Sequence, residues 1–344
     1  MKALYYTGNK TMELRETPAP VPSAGECLVR IKACGICGSD FEGYLGKTGR
    51  RTAPMVMGHE AAGVVVVPAG TGAVPAGTKV AVFPNFYCGE CEQCKAGMTN
   101  NCANGSFMGV MAKDGCMAEY VAVPESVAIP FPDETPFEAA AMAEPLAVAL
   151  SAVKKAPPEM IRESGNIIII GGGTIGLLVL SLLRRMAKGR ITVSDVYSSR
   201  LERALKLGAD AVINPSGEDF AGAVKRITGG AMYPLAFEAA GFAASARASL
   251  DALKPGGTVV WIGNAQKTID VDMQKIVVTE LKITGSHIYS PDEFRESLKL
   301  IACGKVDASQ LITDRRPLED GAAAFASLED NKDGGMLKIM LTTD

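Results

Sequence analysis

Residues 166–176 read Asn-Ile-Ile-Ile-Ile-Gly-Gly-Gly-Thr-Ile-Gly, and this stretch decides the fold. The continuous apolar run of residues 166–170 is typical of a parallel strand that is buried on both faces of a sheet. A glycine turn follows it, and then an apolar segment that extends to Met186. The order of strand, turn and helix predicts the first unit of an α/β domain with a doubly wound parallel sheet.

Further strands and helices alternate downstream of this unit. We predict strands over residues 191–194, 211–213, 235–238 and 258–262, and helices over residues 199–207, 220–227 and 243–253. The sequence contains no internal repeat and no coiled-coil heptad pattern. One α/β domain is therefore expected to begin near residue 164.

The glycine turn has the spacing of a dinucleotide site. Gly171 permits the tight turn, Gly173 lets the backbone approach a pyrophosphate, and Gly176 allows the helix to pack closely on the strand. Asp195 lies 22 residues beyond Gly173, at the end of the next strand. A carboxylate there binds the hydroxyls of an adenosine ribose and repels a 2′-phosphate, which favours NAD over NADP. The alternative is that Asp195 only caps the helix that begins near Ser198.

The first 150 residues have a different pattern, in which short β-branched runs are bounded by glycine and proline. The runs cover residues 27–33, 63–67, 79–83 and 118–123. This pattern predicts an antiparallel, barrel-like β domain with long loops. Residues 139–152 are helix-like, and Glu144 is a charged residue within that apolar segment. A buried carboxylate must find a partner, and a metal ion can be that partner.

Four cysteines stand in C-x2-C-x2-C-x7-C spacing: Cys88, Cys91, Cys94 and Cys102. Four thiolates fill all positions of a tetrahedral zinc, so the spacing indicates a closed, structural site. Disulfides are the alternative. The first residues, MKALYYTGNK, have no apolar core of a secretory signal, so we expect a reducing, cytoplasmic location that disfavours disulfides.

A second group of potential metal ligands lies upstream and has mixed chemistry. Cys37, His59 and Glu60 offer a thiolate, an imidazole and a carboxylate, and three ligands leave one position open for water or substrate. Mixed ligation with an open position is typical of catalytic zinc. The alternative for His59 is a buried histidine that is satisfied by hydrogen bonds alone.

Length and composition limit the function classes. A chain of 344 residues with 47% hydrophobic side chains can form two domains. The net charge of -3, without long runs of like charge, provides no basic surface for nucleic acid or anionic lipid. No apolar stretch is long enough to cross a bilayer. We therefore expect a small-molecule partner, with neither nucleic acid nor membrane.

The motifs taken together resemble those of one enzyme family. They are CGICGSD, GHEAAG, the four-cysteine lobe, DGCMAEYVAVP, AEPLAVAL, GGGTIG and VSDVYSSR. This set is similar to the zinc-dependent medium-chain dehydrogenase/reductase family, and most of all to its polyol dehydrogenases, with threonine dehydrogenase nearby. The resemblance implies a GroES-like β-barrel catalytic domain over residues 1–150 and 290–344, a Rossmann NAD-binding domain over residues 151–289, and a homodimer or homotetramer.

The resemblance also implies roles for individual residues. Two zinc ions per chain are expected, one structural on the four cysteines and one catalytic on Cys37, His59 and Glu60, with Glu144 bound directly or through water. Ser39 matches a proton-relay hydroxyl, Asp40 a carboxylate that fixes the His59 tautomer, and Glu42 stands where relatives often carry the next relay group, a histidine. The candidate cofactor-binding residues are Gly171, Gly173, Thr174, Ile175, Gly176, Asp195 and Arg200.

The implied reaction is the reversible, NAD-dependent oxidation of a secondary alcohol of a polyol, sugar acid or sugar phosphate. Ile288 replaces an arginine that is common in sorbitol-type relatives, so sorbitol itself is not assumed. The alternatives are a threonine-type amino-alcohol dehydrogenase and a non-catalytic, zinc-stabilised nucleotide-binding protein. Lys47, Arg50 and Arg51 are expected in a solvated loop, unless one of them binds an anionic substrate group.

Overall fold

The computed structural model of the protein describes residues 1–111, 113–163 and 165–343. The chain forms two compact units. The first contains Met1–Ala147, Tyr289–Lys332 and Met336–Asp344, and the second contains Val148–Ile288 and Asp333–Gly335. The chain thus leaves the first unit after Ala147, returns to it at Tyr289, and later contributes the short segment Asp333–Gly335 to the second unit.

The first unit consists mainly of β structure. Its strands are β1 (Lys2–Gly8), β2 (Thr11–Glu16), β3 (Glu26–Ile36), β4 (Met55–Val56), β5 (Glu60–Val67), β6 (Lys79–Val82), β7 (Asn85–Phe86), β8 (Ser106–Phe107), β9 (Tyr120–Pro124), β10 (Ala128–Pro130), β17 (Ile312–Pro317) and β18 (Lys338–Thr342). Its helices are α1 (Gly38–Tyr44), α2 (Glu92–Lys95), α3 (Phe137–Ala141), α11 (Pro291–Ala302) and α12 (Gly321–Glu329), and α4 (Ala143–Lys155) begins in it. Short 3₁₀ helices span Thr99–Asn101, Glu125–Val127, Ala308–Leu311 and Leu318–Asp320.

The largest sheet of this unit determines where the chemistry-bearing residues lie. Its strand order is β10-β6-β5-β3-β18-β17, and β9 also pairs with β3. At the end of β3, Gly35 pairs with Glu60 of β5 on one side and with Met340 of β18 on the other. The register therefore brings Glu60 and the start of β18 to the two flanks of one strand end. The predicted strand over residues 63–67 begins earlier than expected, because Glu60 itself belongs to β5.

The second unit alternates strands and helices. Its strands are β11 (Asn166–Ile170), β12 (Arg190–Ser194), β13 (Ala211–Ile213), β14 (Tyr233–Glu238), β15 (Leu253–Trp261) and β16 (Lys282–Gly285). Its helices are α5 (Pro158–Arg162), α6 (Thr174–Leu183), α7 (Ser198–Lys206), α8 (Phe220–Thr228), α9 (Ala243–Asp251) and α10 (Met273–Val278).

The sheet of the second unit is parallel throughout, with the order β13-β12-β11-β14-β15-β16. This confirms the predicted doubly wound sheet, whose strand order reverses direction between β11 and β14. Ile168, Ile170 and Val224 are among the buried residues of its core. The helix predicted to reach Met186 ends at Leu183, and the sixth strand, β16, was not predicted. Within the described residues, every helix is too short or too polar to cross a membrane.

Candidate metal and nucleotide sites

The four cysteines of the lobe converge on one point. Their sulfur atoms lie within 4.8 Å of one another. The Sγ atoms are 3.5 Å apart for Cys88 and Cys102, 3.8 Å for Cys91 and Cys102, and 4.0 Å for Cys88 and Cys94. Zinc–sulfur bonds of about 2.3 Å in a tetrahedron place the sulfurs about 3.8 Å apart, so the four cysteines fit a zinc ion. All nine cysteines of the chain are free thiols.

Backbone N–H groups favour the thiolate at two of the four cysteines, Cys88 and Cys91, whereas burial raises the pKa of Cys94 to about 12. N–H groups of Cys94 and Ala103 donate to the sulfur of Cys91 and lower the pKa of Cys91 to about 6. The N–H of Cys91 in turn donates to the Sγ of Cys88 at 3.4 Å. Because metals bind the thiolate and not the thiol, this hydrogen bonding prepares the lobe for a cation.

The structure also brings Cys37, His59 and Glu60 together, with one ligand atom of each within 4.8 Å of the others. Cys37 follows β3 and precedes α1, while His59 and Glu60 stand at the start of β5. His59 is 3% and Glu60 is 1% exposed. Burial, together with the charge of Glu60, raises the pKa of Cys37 to about 11. A metal cation would reverse that effect, so the donor set fits a buried zinc of mixed ligation.

Lys338 is a member of this site that sequence reasoning missed. Its Nζ donates to both carboxylate oxygens of Glu60 at 2.6 Å and to the carbonyl of Ile36 at 3.0 Å. Burial lowers the pKa of Lys338, but the charges of Glu60 and Cys37 outweigh burial and raise it. Gly35 makes the contact possible, since a Cβ at that position would lie 2.2 Å from the Oε2 of Glu60. The one local signal was a lysine beside the apolar run of β18.

Asp40 faces His59 but is bound by a different residue. Its Oδ1 lies 3.5 Å from the Nδ1 of His59, and that nitrogen has no hydrogen-bond partner. The nearer group is the guanidinium of Arg51, whose NH2 nitrogen is 2.7 Å from Asp40 Oδ1. The prediction of a solvated loop is therefore wrong for Arg51, whose side chain is 2% exposed. It is confirmed for Lys47 and Arg50, which are exposed.

The two candidate relay residues of α1 differ in their surroundings. The hydroxyl of Ser39 donates to the Sγ of Cys37 at 3.4 Å, which places it beside the metal ligands. The carboxylate of Glu42 faces the ammonium of Lys47 at 3.5 Å. Among the described residues, no hydrogen bond joins Glu42 to Ser39.

Glu144 lies outside the group of three ligands but feels their charges. Its Oε1 accepts a hydrogen bond from the hydroxyl of Tyr289 at 2.9 Å, a partner that sequence reasoning also missed. Burial raises the pKa of Glu144 to about 8, and the charges of Glu60 and Cys37 add to the effect. A metal cation on Cys37, His59 and Glu60 would offset the repulsion from those charges and lower the pKa of Glu144, so the burial of Glu144 here is compatible with a metal.

The glycine turn of the second unit has the close approaches that its sequence predicted. Gly171 has a φ of +102°, and a Cβ at Gly176 would lie 1.8 Å from the carbonyl oxygen of Gly171. Helix α6 begins at Thr174, followed by Ile175, and Gly173 is its N-terminal cap without a side chain. Its first N–H groups can therefore meet an anion.

Asp195 is tied to this turn. Its Oδ2 accepts the N–H of Gly172 at 2.7 Å, and its Oδ1 accepts the N–H of Tyr197 at 2.9 Å. The N-terminal cap of α7 is Tyr197, so Asp195 does not cap that helix. Arg200 lies next to Asp195, with NH1 3.5 Å from Oδ2, and its Nε donates to the carbonyl of Gly334 at 3.1 Å.

Similarity to known proteins covers both units. Residues 23–133 match the family described as alcohol dehydrogenase GroES-like domain, and residues 174–303 match zinc-binding dehydrogenase. The sorbitol dehydrogenase of Bacillus subtilis is 31% identical over 324 residues, which cover 93% of this chain and 91% of that protein. The chain belongs to the zinc-dependent medium-chain dehydrogenases. It lies in their polyol dehydrogenase branch.

Two further relatives of this dehydrogenase extend the comparison. The D-arabitol-phosphate dehydrogenase of Enterococcus avium is 31% identical and covers 98% of this chain and 95% of its own length. A Sinorhizobium meliloti zinc-binding dehydrogenase structure, solved with NADP, is 30% identical, covers 99% of this chain and 98% of its own, and has a TM-score of 0.87. The predicted GroES-like and Rossmann folds are confirmed, and the protein is an alcohol dehydrogenase that uses zinc and a nicotinamide cofactor.

Proposed function

We propose that this dehydrogenase oxidises a secondary alcohol of a polyol, sugar acid or sugar phosphate to a ketone, reversibly and with NAD. Two zinc ions per chain serve it, one on the four cysteines and one on Cys37, His59 and Glu60. The observation that carries the proposal is the second of these groups, a buried mixed donor set with Ser39 beside it. Relatives named for sorbitol and for arabitol phosphate support a polyhydroxylated substrate.

Residues of the first unit have separate roles in the proposed reaction. Bound zinc supplies a Lewis acid that lowers the pKa of the substrate hydroxyl, and bound NAD supplies the hydride acceptor. Ser39 accepts the proton that the alcohol loses and releases its own hydroxyl proton to solvent, since its Oγ lies beside the ligand Cys37 and the residue is exposed. Cys37 and Glu60 together balance the charge of a divalent metal, and Lys338 adds one positive charge. That excess favours an anionic substrate oxygen over a neutral one.

Asp195 supports the choice of NAD. Its carboxylate is fixed by two backbone N–H groups at the end of β12, where the ribose of a dinucleotide binds in this fold. A 2′-phosphate would meet that negative charge. Arg200 pairs with Asp195 and donates a hydrogen bond to the carbonyl of Gly334. Its positive charge is therefore compensated by the Asp195 carboxylate and is less able to bind a 2′-phosphate.

The test is a substrate screen with the zinc-loaded enzyme. Polyols, sugar acids, sugar phosphates and threonine are each offered with NAD and with NADP, and reduced cofactor is followed by absorbance. We expect turnover of a polyhydroxylated alcohol with NAD and its loss in Cys37→Ala, which should still bind NADH. Turnover that survives in Cys37→Ala, or turnover of threonine alone, would contradict the proposal.

A further inference from the structure

We infer that Arg51 is a positioning residue that holds the Ser39 hydroxyl in the orientation needed for proton transfer, an inference that rests on the proposed function. One nitrogen of Arg51, NH2, lies 2.7 Å from Asp40 Oδ1 and 3.2 Å from Ser39 Oγ. That nitrogen carries two hydrogens, one for each acceptor. A single side chain thereby links the carboxylate that faces His59 to the hydroxyl beside Cys37.

The position of Arg51 is fixed by its surroundings. The side chain is 2% exposed, and that of Asp40 is fully buried. The aliphatic part of Arg51 lies across α1 at Gly43, where a Cβ would come within 2.9 Å of the Arg51 Cδ. A buried cation is tolerated when it is paired, and the planar guanidinium loses little freedom on pairing. The contact is therefore not the chance pairing of an exposed side chain.

Asp40 anchors this arrangement from a second direction. Its Oδ2 accepts the N–H of Cys37 at 3.1 Å, while its Oδ1 accepts from Arg51. The carboxylate is thus held by the backbone of a metal ligand, and Arg51 is held by the carboxylate.

The consequence for Ser39 follows from the hydrogen-bonding capacity of a hydroxyl. A serine has one O–H donor and two acceptor lone pairs. Arg51 can only donate, so it occupies one lone pair and excludes orientations in which the Ser39 proton points toward Arg51. Two directions remain, one toward Cys37, whose Sγ lies 3.4 Å away, and one toward solvent, because Ser39 is exposed. An alcohol on the side of Cys37 would donate its proton to the lone pair that faces it, while the Ser39 O–H releases its own proton to water.

The test is a double-mutant cycle of Arg51→Met and Ser39→Ala, with turnover of the alcohol found in the screen. Methionine keeps the stem and removes the donors. We expect Arg51→Met to lower kcat about 10- to 100-fold, and the double variant to match Ser39→Ala within about twofold, because Arg51 acts through Ser39. The solvent deuterium isotope effect on kcat should rise in Arg51→Met and should not depend on residue 51 in the Ser39→Ala background.

Two controls separate positioning from a structural role. Arg15→Met removes an arginine whose NH2 is also 2.7 Å from a carboxylate, that of Glu13, but which is 43% exposed, and it should leave kcat unchanged. Arg51→Lys restores a charge for Asp40 and should restore the fold if Arg51→Met does not fold. Zinc content and the visible spectrum of the cobalt-substituted protein should match the wild type, because Cys37 and His59 are untouched.

Each other result overturns the inference. If the factors by which the two single substitutions lower kcat multiply in the double variant, Arg51 does not act through Ser39. A changed cobalt spectrum or lost zinc in Arg51→Lys shows that Arg51 supports the metal ligands instead. A wild type with no turnover of any alcohol removes the proposed function and this role together, whereas an active wild type with an unaffected Arg51→Met removes this role alone.

Discussion

The buried pair of Lys338 and Glu60 leads to a prediction in which the metal changes the effect of a mutation. Replacing Lys338 by methionine keeps most of the side-chain volume and removes the ammonium. Both side chains are at most 2% exposed, so the Glu60 carboxylate would be left without a cation in the metal-free protein. Removing one partner of a buried pair costs about 3–5 kcal/mol in free energy of unfolding.

That loss can be measured as a shift in thermal midpoint. The first unit spans about 200 residues, for which 1 kcal/mol corresponds to roughly 2–4 °C, so the midpoint of metal-free Lys338→Met should fall by about 6–20 °C. In the zinc-loaded protein the metal itself compensates Glu60, and the loss should be smaller. If the two losses differ by about 2 kcal/mol, the thermodynamic cycle requires roughly 30-fold tighter zinc binding in the variant.

The assay is differential scanning calorimetry of metal-free and zinc-loaded protein, together with a chelator competition for zinc. Lys10→Met is the matched control, because Lys10 also lies 2.6 Å from a carboxylate, that of Glu329, but is 51% exposed. It should shift the midpoint little, as surface ion pairs contribute about 0–1 kcal/mol. Equal midpoints for metal-free Lys338→Met and wild type, or equal losses with and without zinc, would refute the reasoning.

Three further changes test the remaining assignments. Cys37→Ala should lose one zinc and all turnover while keeping its fold, whereas Cys91→Ala should lose the other zinc and much of its solubility. Metal analysis and gel filtration would show both effects. Full turnover in Cys37→Ala would contradict the assignment of Cys37 as a ligand of the catalytic zinc. Asp195→Ala should narrow the preference for NAD over NADP in kcat/KM, and an unchanged ratio would exclude Asp195 as its cause. The pKa of Glu144 is raised to about 8 in the metal-free native state. Between the ordinary carboxyl pKa and pH 8, Glu144 therefore keeps a proton in the native state that it loses in the unfolded chain, so the free energy of unfolding should fall as pH rises toward 8. Glu144→Gln should remove that slope in denaturant titrations at pH 5 and pH 8, and a slope that persists would mean that another group is responsible.

The sequence alone predicted correctly those features that depend on residues close together along the chain. Strands β11 and β13 have the predicted bounds, because a run of isoleucines and a short β-branched segment admit few alternatives beside glycine and polar residues. The four-cysteine lobe is likewise local, since its ligands lie within 15 residues of one another. Strand β15 begins at Leu253, five residues before the predicted start at residue 258. The prediction missed this early part because it contains Lys254, Pro255 and two glycines, which favour turns.

Partners from distant segments could not be assigned in this way. Lys338 is 278 residues from Glu60, and only the pairing of β18 and β5 on either side of β3 brings them together. Tyr289 and Glu144 are 145 residues apart. Arg51 is close to Asp40 in sequence, but a loop of mixed polarity gives no indication of which of its three cations turns inward.

What the sequence does show is which charges need a partner. Glu60 begins an apolar strand, and Lys338 stands at the start of another, so both charges would be buried if those strands were central in a sheet. Buried charges of opposite sign are tolerated only when they meet, because the desolvation cost of each is several kcal/mol. Two such residues in one domain are therefore evidence for the register that joins their strands. Here that register is fixed at Gly35, the one position of β3 whose missing side chain lets Glu60 reach Lys338.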